Sequence, residues 1–356
     1  MDTYCVGLDV HKSRTTFVIE GGSGVVVRRG EFATTREGIA AWVRQNALPS
    51  GTPVARETGT LAFFVSDELT GAGLAPQVID AHEVRIKATR PRQKSDRRDA
   101  FELCEGVRRE AYRTRVYVPP PALRSSRELL SRRRHFVRLQ TAQCNAVKHA
   151  LRARGQAALA RSLRTAAGWQ RLVRAVAADS LVGSIVHAHQ RVWTAAHAER
   201  LALEAMLARH AEAFAGPLAR LQTVPGVGPI VALTVIATFA DVTRFPGAKQ
   251  AASYAGLVPS THQSGMCDRH GPITKRGAAE LRAMLVEAAH HAARREHPLH
   301  AAFTKLCVRR GYKPAVVAIA HRLCRILFAM LRDDSDFRTP HAQRPRPAPS
   351  LAFPAE

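Results

Sequence analysis

The sequence predicts an α/β domain built on a mixed sheet, followed by a long helical arm and a mainly α-helical C-terminal domain. Three observations predict it. Short apolar runs alternate with helix-period segments over residues 4–80. After Pro119-Pro120-Pro121 the strand pattern stops, and residues 122–154 read as one helix. Residues 221–241, LQTVPGVGPIVALTVIATFAD, set a Pro-Gly-Val-Gly turn between two helical segments.

Taken in order, Tyr4–Val10 is a buried strand. Thr15–Glu20 and Val25–Phe32 are strands joined across Gly21-Gly22-Ser23-Gly24, a hairpin turn signal. Glu37–Gln45 is a short helix with Ile39, Trp42 and Val43 on one side, and Pro53–Glu57 is a fourth strand. Leu61–Gly71 is a helix, Gln77–Asp80 a fifth strand, and Glu83–Arg90 and Asp96–Glu110 are helices. On the 122–154 helix, Leu129, Phe136, Val147 and Leu151 give a sparse apolar stripe, crowded by Arg124, Arg127, Arg132, Arg133, Arg134 and Arg138. A nearly single-signed face repels itself, so a phosphate backbone alongside is the expected partner. From Leu181 to Phe214, Val182, Ile185, Val192, Ala196, Leu203 and Met206 fall at three-four spacing, with His189 and His210 in register, as in a helical hairpin or coiled coil. The Pro225–Gly228 turn reads as a helix-hairpin-helix, where glycines bring backbone N–H groups to a phosphate at a helix N-terminus, here Gly226 and Gly228. Residues 255–273 read as a Gly-, Pro- and Ser-rich loop, followed by helices at 274–295, 298–310 and 314–334. The Pro- and Arg-rich tail after Asp336 is expected to be disordered. The expected divisions are 1–118, 119–216, 217–336 and a tail at 337–356.

Composition narrows the function. A chain of 356 residues that is 46% hydrophobic can bury a substantial core. Its 53 basic against 29 acidic residues give a formal charge of +24, which points to a polyanionic partner, most simply nucleic acid. Cys5, Cys104, Cys144, Cys267, Cys307 and Cys324 are scattered with no CxxC pair, against a zinc ribbon or disulfide framework and in keeping with a reducing cytosol. Met1 leads directly into a strand, so no signal peptide is expected, and no apolar run approaches the ~18 residues of a membrane span.

The chemistry-bearing residues are acids at strand ends. Asp9 closes the first strand in VGLDVHK and Glu57 the fourth in VARETGT. An acid at the end of a buried strand is costly unless it is paired or metal-bound. Asp96 and Asp99, in RPRQKSDRRDA, lie three apart on a helix and share a face, with Arg97 and Arg98 to the side and Lys94 just before. Taken alone, these two aspartates are an ordinary helix start, with Ser95 or Asp96 as N-cap. Beside Asp9 and Glu57 they become candidates for a Mg2+ site, because two bare carboxylates about 4 Å apart repel by about 4 kcal/mol at an effective dielectric near 20. A second cluster, YAGLVPSTHQSGMCDRHGPITKRG at 254–277, offers the hydroxyls of Ser260, Thr261 and Ser264, and Lys275 and Arg276 at the start of the next helix for phosphate. Any one such serine is, by itself, a turn residue.

The ordered set GLDVHK (7–12), ETG (57–59), KSDRRDA (94–100), VPGVGP (224–229), YAGLVPS (254–260), QSG (263–265) and GPITKRG (271–277) resembles the IS110 family of bacterial insertion-sequence transposases, the DEDD type, across residues 4–335. The resemblance implies an RNase H-like N-terminal domain similar to Holliday-junction resolvases. Its acids match Asp9, Glu57, Asp96 and Asp99 and hold Mg2+, with Mn2+ as a substitute. It further implies a serine nucleophile matching Ser264 in a C-terminal transposase domain, with no nucleotide cofactor. The implied partners are donor and target DNA, a structured guide RNA (a bridge RNA) encoded by the element, and further copies of the chain, two to four, in a bacterial cytoplasm at the nucleoid. The chain departs from the family pattern at Ala278, where Asn is common, and at Glu57, which runs directly into Thr58-Gly59 without an intervening Ala. The competing readings are a resolvase-type nuclease using metal-activated water, an inactive nucleic-acid-binding relic, and a kinase- or actin-like ATPase. The ATPase lacks a second phosphate loop and suits so basic a chain poorly.

Overall fold

The computed structural model describes residues 4–87, 95–264 and 267–338, with the backbone alone for 261–264 and 267–270. The chain forms two compact units, Met1–Pro119 and Pro120–Glu356.

The first unit is built on five strands: β1 (Tyr4–Val10), β2 (Arg14–Gly21), β3 (Val26–Ala33), β4 (Pro53–Glu57) and β5 (Ala75–Ile79). Their order is β3-β2-β1-β4-β5. β1 pairs antiparallel with β2 and β2 with β3, while β1 pairs parallel with β4 and β4 with β5. A parallel pair needs a crossover, and α1 (Arg36–Asn46) and α2 (Ala62–Gly71) supply the two connections. Thr35 caps α1, its hydroxyl accepting from the Gly38 N–H. On this side of the sheet Val6, Leu8, Phe17, Val54, Ile39, Trp42, Val65 and Leu69 form one core. The opposite side takes α4 (Asp96–Arg108), which follows the short α3 (Ala81–Lys87). There Ala100 and Cys104 meet Val18, and Leu103 meets Ala55 and Ile79. Gly7 makes that seat: a Cβ on it would lie 2.0 Å from the Ala100 carbonyl oxygen and 2.5 Å from the Cys104 nitrogen.

The second unit begins with α5 (Pro121–Arg152) and continues through α6 (Ala166–Ala175) and α7 (Ser180–Ala211). Cys144, Val147 and Leu151 of α5 pack with Trp169, Val182, Val186 and Trp193. Leu123 and Leu130 at one end of α5, and Leu207 and Ala211 of α7, join the larger core of α8 (Ala215–Leu221), α9 (Pro229–Phe239), α10 (Ala248–Tyr254), α11 (Ala279–His290), α12 (His300–Arg310) and α13 (Tyr312–Arg332). Contrary to the expectation that no apolar run approaches a membrane span, α13 is long and apolar enough to cross one by length and composition. Its Val316, Ile319, Leu323, Leu327 and Phe328 are core residues here.

Several sequence expectations are corrected. Residues 255–273 contain a two-stranded hairpin, β6 (Pro259–Ser264) and β7 (Cys267–Ile273), instead of a loop. The helix expected at 274–295 is α11, so Lys275 and Arg276 precede it in a turn, Lys275 at φ 55° and Gly277 at φ 101°. On α7 the buried stripe is Val182, Val186, Trp193, Ala196, Arg200, Glu204 and Leu207, whereas Val192 and Met206 are 46% and 39% exposed. The expected stripe mixed two faces of one helix. Phe337 is not a free tail residue: it packs on the core, and its N–H donates to the Thr223 hydroxyl at 3.1 Å. The remainder of the tail, residues 339–356, lies outside the described residues.

Candidate active site

Asp9 stands at the carboxyl end of β1 on the face that Gly7 opens to α4, since residues two apart on a strand share a face. The parallel register pairs Leu8 with Arg56, so Asp9 and Glu57 come next, side by side, where β1 and β4 end. Because Ala55 packs against Leu103 of α4, alternation puts Glu57 on the α4 face too. Ser95 is the N-cap of α4, its carbonyl accepting from the N–H groups of Arg98 (2.8 Å) and Asp99 (2.9 Å). Asp96 and Asp99 therefore occupy the first turn, where the helix dipole favours carboxylates.

These elements bring Asp9 and Asp96 together. One imidazole nitrogen, Nε2 of His11, lies 3.0 Å from Asp9 Oδ2 and 3.4 Å from Asp96 Oδ1. Among the described residues, Asp9, His11 and Asp96 form the group whose ligand atoms all lie within 4.8 Å of one another. Burial pushes the Asp9 carboxyl above its usual range, and the charges of Asp96 and Asp99 push the same way against the opposing pull of His11. Asp99 and Glu57 lie outside that close group: Asp99 acts on Asp9 through its charge, and Glu57 neighbours it by strand register. The charge of Asp9 in turn raises the His11 imidazole. The carboxylate oxygens fit a divalent cation: they are hard donors whose mutual repulsion a cation would relieve, at the place where the His11 N–H now lies between Asp9 and Asp96.

His11 is the residue the sequence reading passed over, although GLDVHK contains it; a histidine two positions after a strand-end acid was the available signal. Arg56 was overlooked as well. It faces away from Glu57, is fully buried, pairs with the Ser66 hydroxyl, and leaves Nε and Nη1 without a hydrogen-bond partner. Burial lowers its guanidinium to about 10.

The basic candidates divide by environment. Arg97 is exposed, and Arg98 is held by Glu102 at 3.0 Å. Lys94 lies outside the described residues. On α5, Arg133 pairs with the buried Glu204 at 2.7 Å and Arg134 pairs with Glu280, while Arg132 is exposed. Arg127, with Arg244, instead donates to the carbonyls at the C-terminal end of α9.

In the second unit, Ser264 is the last residue of β6 and pairs with Cys267, so it stands at the hairpin tip. Ser260 sits at the base, its hydroxyl donating to the Pro272 carbonyl at 3.0 Å. Two glycines anchor the hairpin. A Cβ on Gly256 would lie 2.4 Å from the Arg276 carbonyl oxygen, and one on Gly277 would lie 2.1 Å from that of Tyr254. Thus YAGLVPS and GPITKRG are the two legs of one structure, and they leave Lys275 and Arg276 exposed. At the other turn, Gly226 has φ 83° and packs on His291. His297 donates from Nε2 to the Pro225 carbonyl at 3.0 Å and accepts the Leu299 N–H on Nδ1. Gly228 caps α9, with nothing within 4 Å of where its Cβ would stand.

The two units, an α/β unit with grouped carboxylates and a helical unit, are each matched by known proteins. Residues 6–154 match a family model described as a transposase of the DEDD type, and residues 218–305 match the model of the transposase IS116/IS110/IS902 family. The chain is 30% identical over 278 residues to a probable family 20 transposase of Pseudomonas aeruginosa, covering 72% of this chain and 79% of that protein. It is 27% identical over 283 residues to the transposase of insertion sequence IS1111A of Coxiella burnetii, covering 75% and 74%. It also matches a pilin gene-inverting protein of Moraxella lacunata, 32% identical over 120 residues, 33% of this chain and 37% of that one. The chain belongs to the IS116/IS110/IS902 transposase family and is a DNA transposase of the insertion-sequence type.

Proposed function

We propose that the first unit has the RNase H-like architecture of Holliday-junction resolvases and that Asp9, Glu57, Asp96 and Asp99 hold Mg2+, or Mn2+ in its place. The observation that carries this reading is the meeting of Asp9 and Asp96 on one nitrogen of His11, beneath a helix that Gly7 seats. A central β1 with an antiparallel neighbour on one side and a parallel one on the other supports the architecture. When bound, the metal supplies charge stabilisation at the reacting phosphate. Arg97 and Arg98, with Lys94, neutralise the phosphodiester beside it.

Ser264 is the nucleophile of this reading. Its Oγ–P bond forms as a backbone P–O bond breaks, the hydroxyl proton passes to a base, and the departing oxygen takes up a proton. The phosphoserine link conserves the bond energy, so rejoining needs no nucleotide cofactor. The hairpin-tip position of Ser264, against a Ser260 hydroxyl already committed to Pro272, supports the choice. The N–H groups at Gly226 and Gly228 act as a helix-hairpin-helix phosphate contact, with Lys275, Arg276 and Arg132 on further phosphates. Donor and target DNA are exchanged by two to four copies guided by an element-encoded structured RNA, in the bacterial cytoplasm; the charge of +24 supports nucleic acid as the partner.

The test is to trap the link. Wild-type protein incubated with donor DNA, RNA transcribed from the element and Mg2+ gives a denaturant-resistant protein–DNA adduct that maps to Ser264, and Ser264→Ala gives none. A Ser264→Ala protein that forms recombinant joints at the wild-type rate would overturn the serine step and favour metal-activated water.

A further inference from the structure

Beside the acids, β2, β3 and α4 line an open cavity of about 930 Å³, most of whose lining the chemistry above does not use. Its position is set by register. Asp9 pairs with Thr16 across β1 and β2, and Thr16 pairs with Glu31 across β2 and β3. Directly opposed residues point to the same face of a sheet, so Asp9, Thr16 and Glu31 form one row. Thr16 and Glu31 line the cavity, which therefore begins one strand spacing, about 4.8 Å, from Asp9. From above, α4 contributes Arg97, Arg98 and Phe101 on the helix that carries Asp96 and Asp99.

The lining is unusual for a surface cleft. Phe101 is 36% exposed and Val26 is 39% exposed, so an aromatic ring and an apolar side chain face solvent beside guanidinium groups. Arg29 and Arg97 make no ion pair among the described residues, and Glu31 is already engaged by Arg14 at 3.1 Å. An aromatic face flanked by cations matches a nucleotide, with the base on the ring and the phosphates on the arginines. The volume lies within the range of pockets that hold a small ligand.

We propose that this cavity receives an unpaired nucleotide of the DNA strand cut at the acids, its base stacked on Phe101 and its phosphates held by Arg29 and Arg97. This deepens the acid-site reading and rests on it for the identity of the strand. A base that must leave the helix to enter the cavity couples cleavage to local unpairing, because unstacking is cheapest where the duplex is mismatched or open.

The probe is a 12-nucleotide single strand carrying 2-aminopurine at successive positions, bound to the full chain without added metal. Stacking on Phe101 quenches the fluorescence at one position. The quench persists in Phe101→Tyr, disappears in Phe101→Leu, which keeps apolar bulk but no stacking face, and affinity falls several-fold in Arg29→Gln. Thermal melting confirms that each variant is folded. Equal quenching in the wild-type and Phe101→Leu proteins overturns the proposal, as does an unchanged affinity in Arg29→Gln. Because the readout is binding, failure of the acid site would appear separately, as recombination surviving Asp9→Asn while the quench is intact.

Discussion

The site depends on Gly7 as much as on the acids. Asp9 is ordinary until α4 lies close enough to bring Asp96 over it, and only a residue without Cβ permits that approach. Gly7→Ala forces the carbonyl of Ala100 to retreat. Overpacking of this kind costs about 1–3 kcal/mol. Urea unfolding of the variant is expected to show that loss together with weakened activity, whereas an unchanged midpoint would mean that the helix is not seated as described. The strand-end acids and the helical pair were legible because each sits at a predictable element boundary. His11 was not, because an exposed histidine after a strand carries no periodic signal, and its meaning appears only when two carboxylates arrive from separate elements. Arg56 was invisible for a related reason. A charged residue in a strand reads as solvent-facing until packing on both sides of the sheet closes over it.

Among elements, α5 shows how a charge pattern misleads. Its arginines read as one phosphate-binding face, yet Arg127 caps the end of α9, Arg133 joins Arg200 on the buried Glu204, and Arg134 pairs with Glu280. Sequence spacing reports which residues share a helix face but not which carboxylates wait on another helix. Arg133→Ala is expected to destabilise the fold by about 1–3 kcal/mol, since it removes a charged hydrogen bond from a buried carboxylate. Arg132→Ala should leave stability within about 0.5 kcal/mol and weaken DNA binding. Calorimetry and a binding titration on the pair check this, and the reverse pattern would return Arg133 to the surface. The long helices and the five strands of the first unit were readable because their periodicity runs for several turns or alternations. The β6–β7 hairpin was not, since PSTHQS and CDRHGPI carry little apolar alternation and include Gly271 and Pro272. The short α6 and α10 escaped because ten and seven residues, two to three turns of helix, leave too brief a pattern.

On the scale of the molecule, the proposed chemistry divides between two units: carboxylates in Met1–Pro119, and a serine hairpin and glycine turn in Pro120–Glu356. The excess of basic residues spans both and explains binding without explaining cleavage. The two functions should therefore separate under mutation. The most direct measurement is excision of a donor element with DNA affinity determined in parallel, for wild type, Asp9→Asn and Asp96→Asn. The account predicts that both variants lose excision to background, lose calorimetrically detected Mn2+ binding, and keep wild-type affinity for DNA. Excision at the wild-type rate in either variant, or a parallel loss of DNA affinity in both, would contradict it.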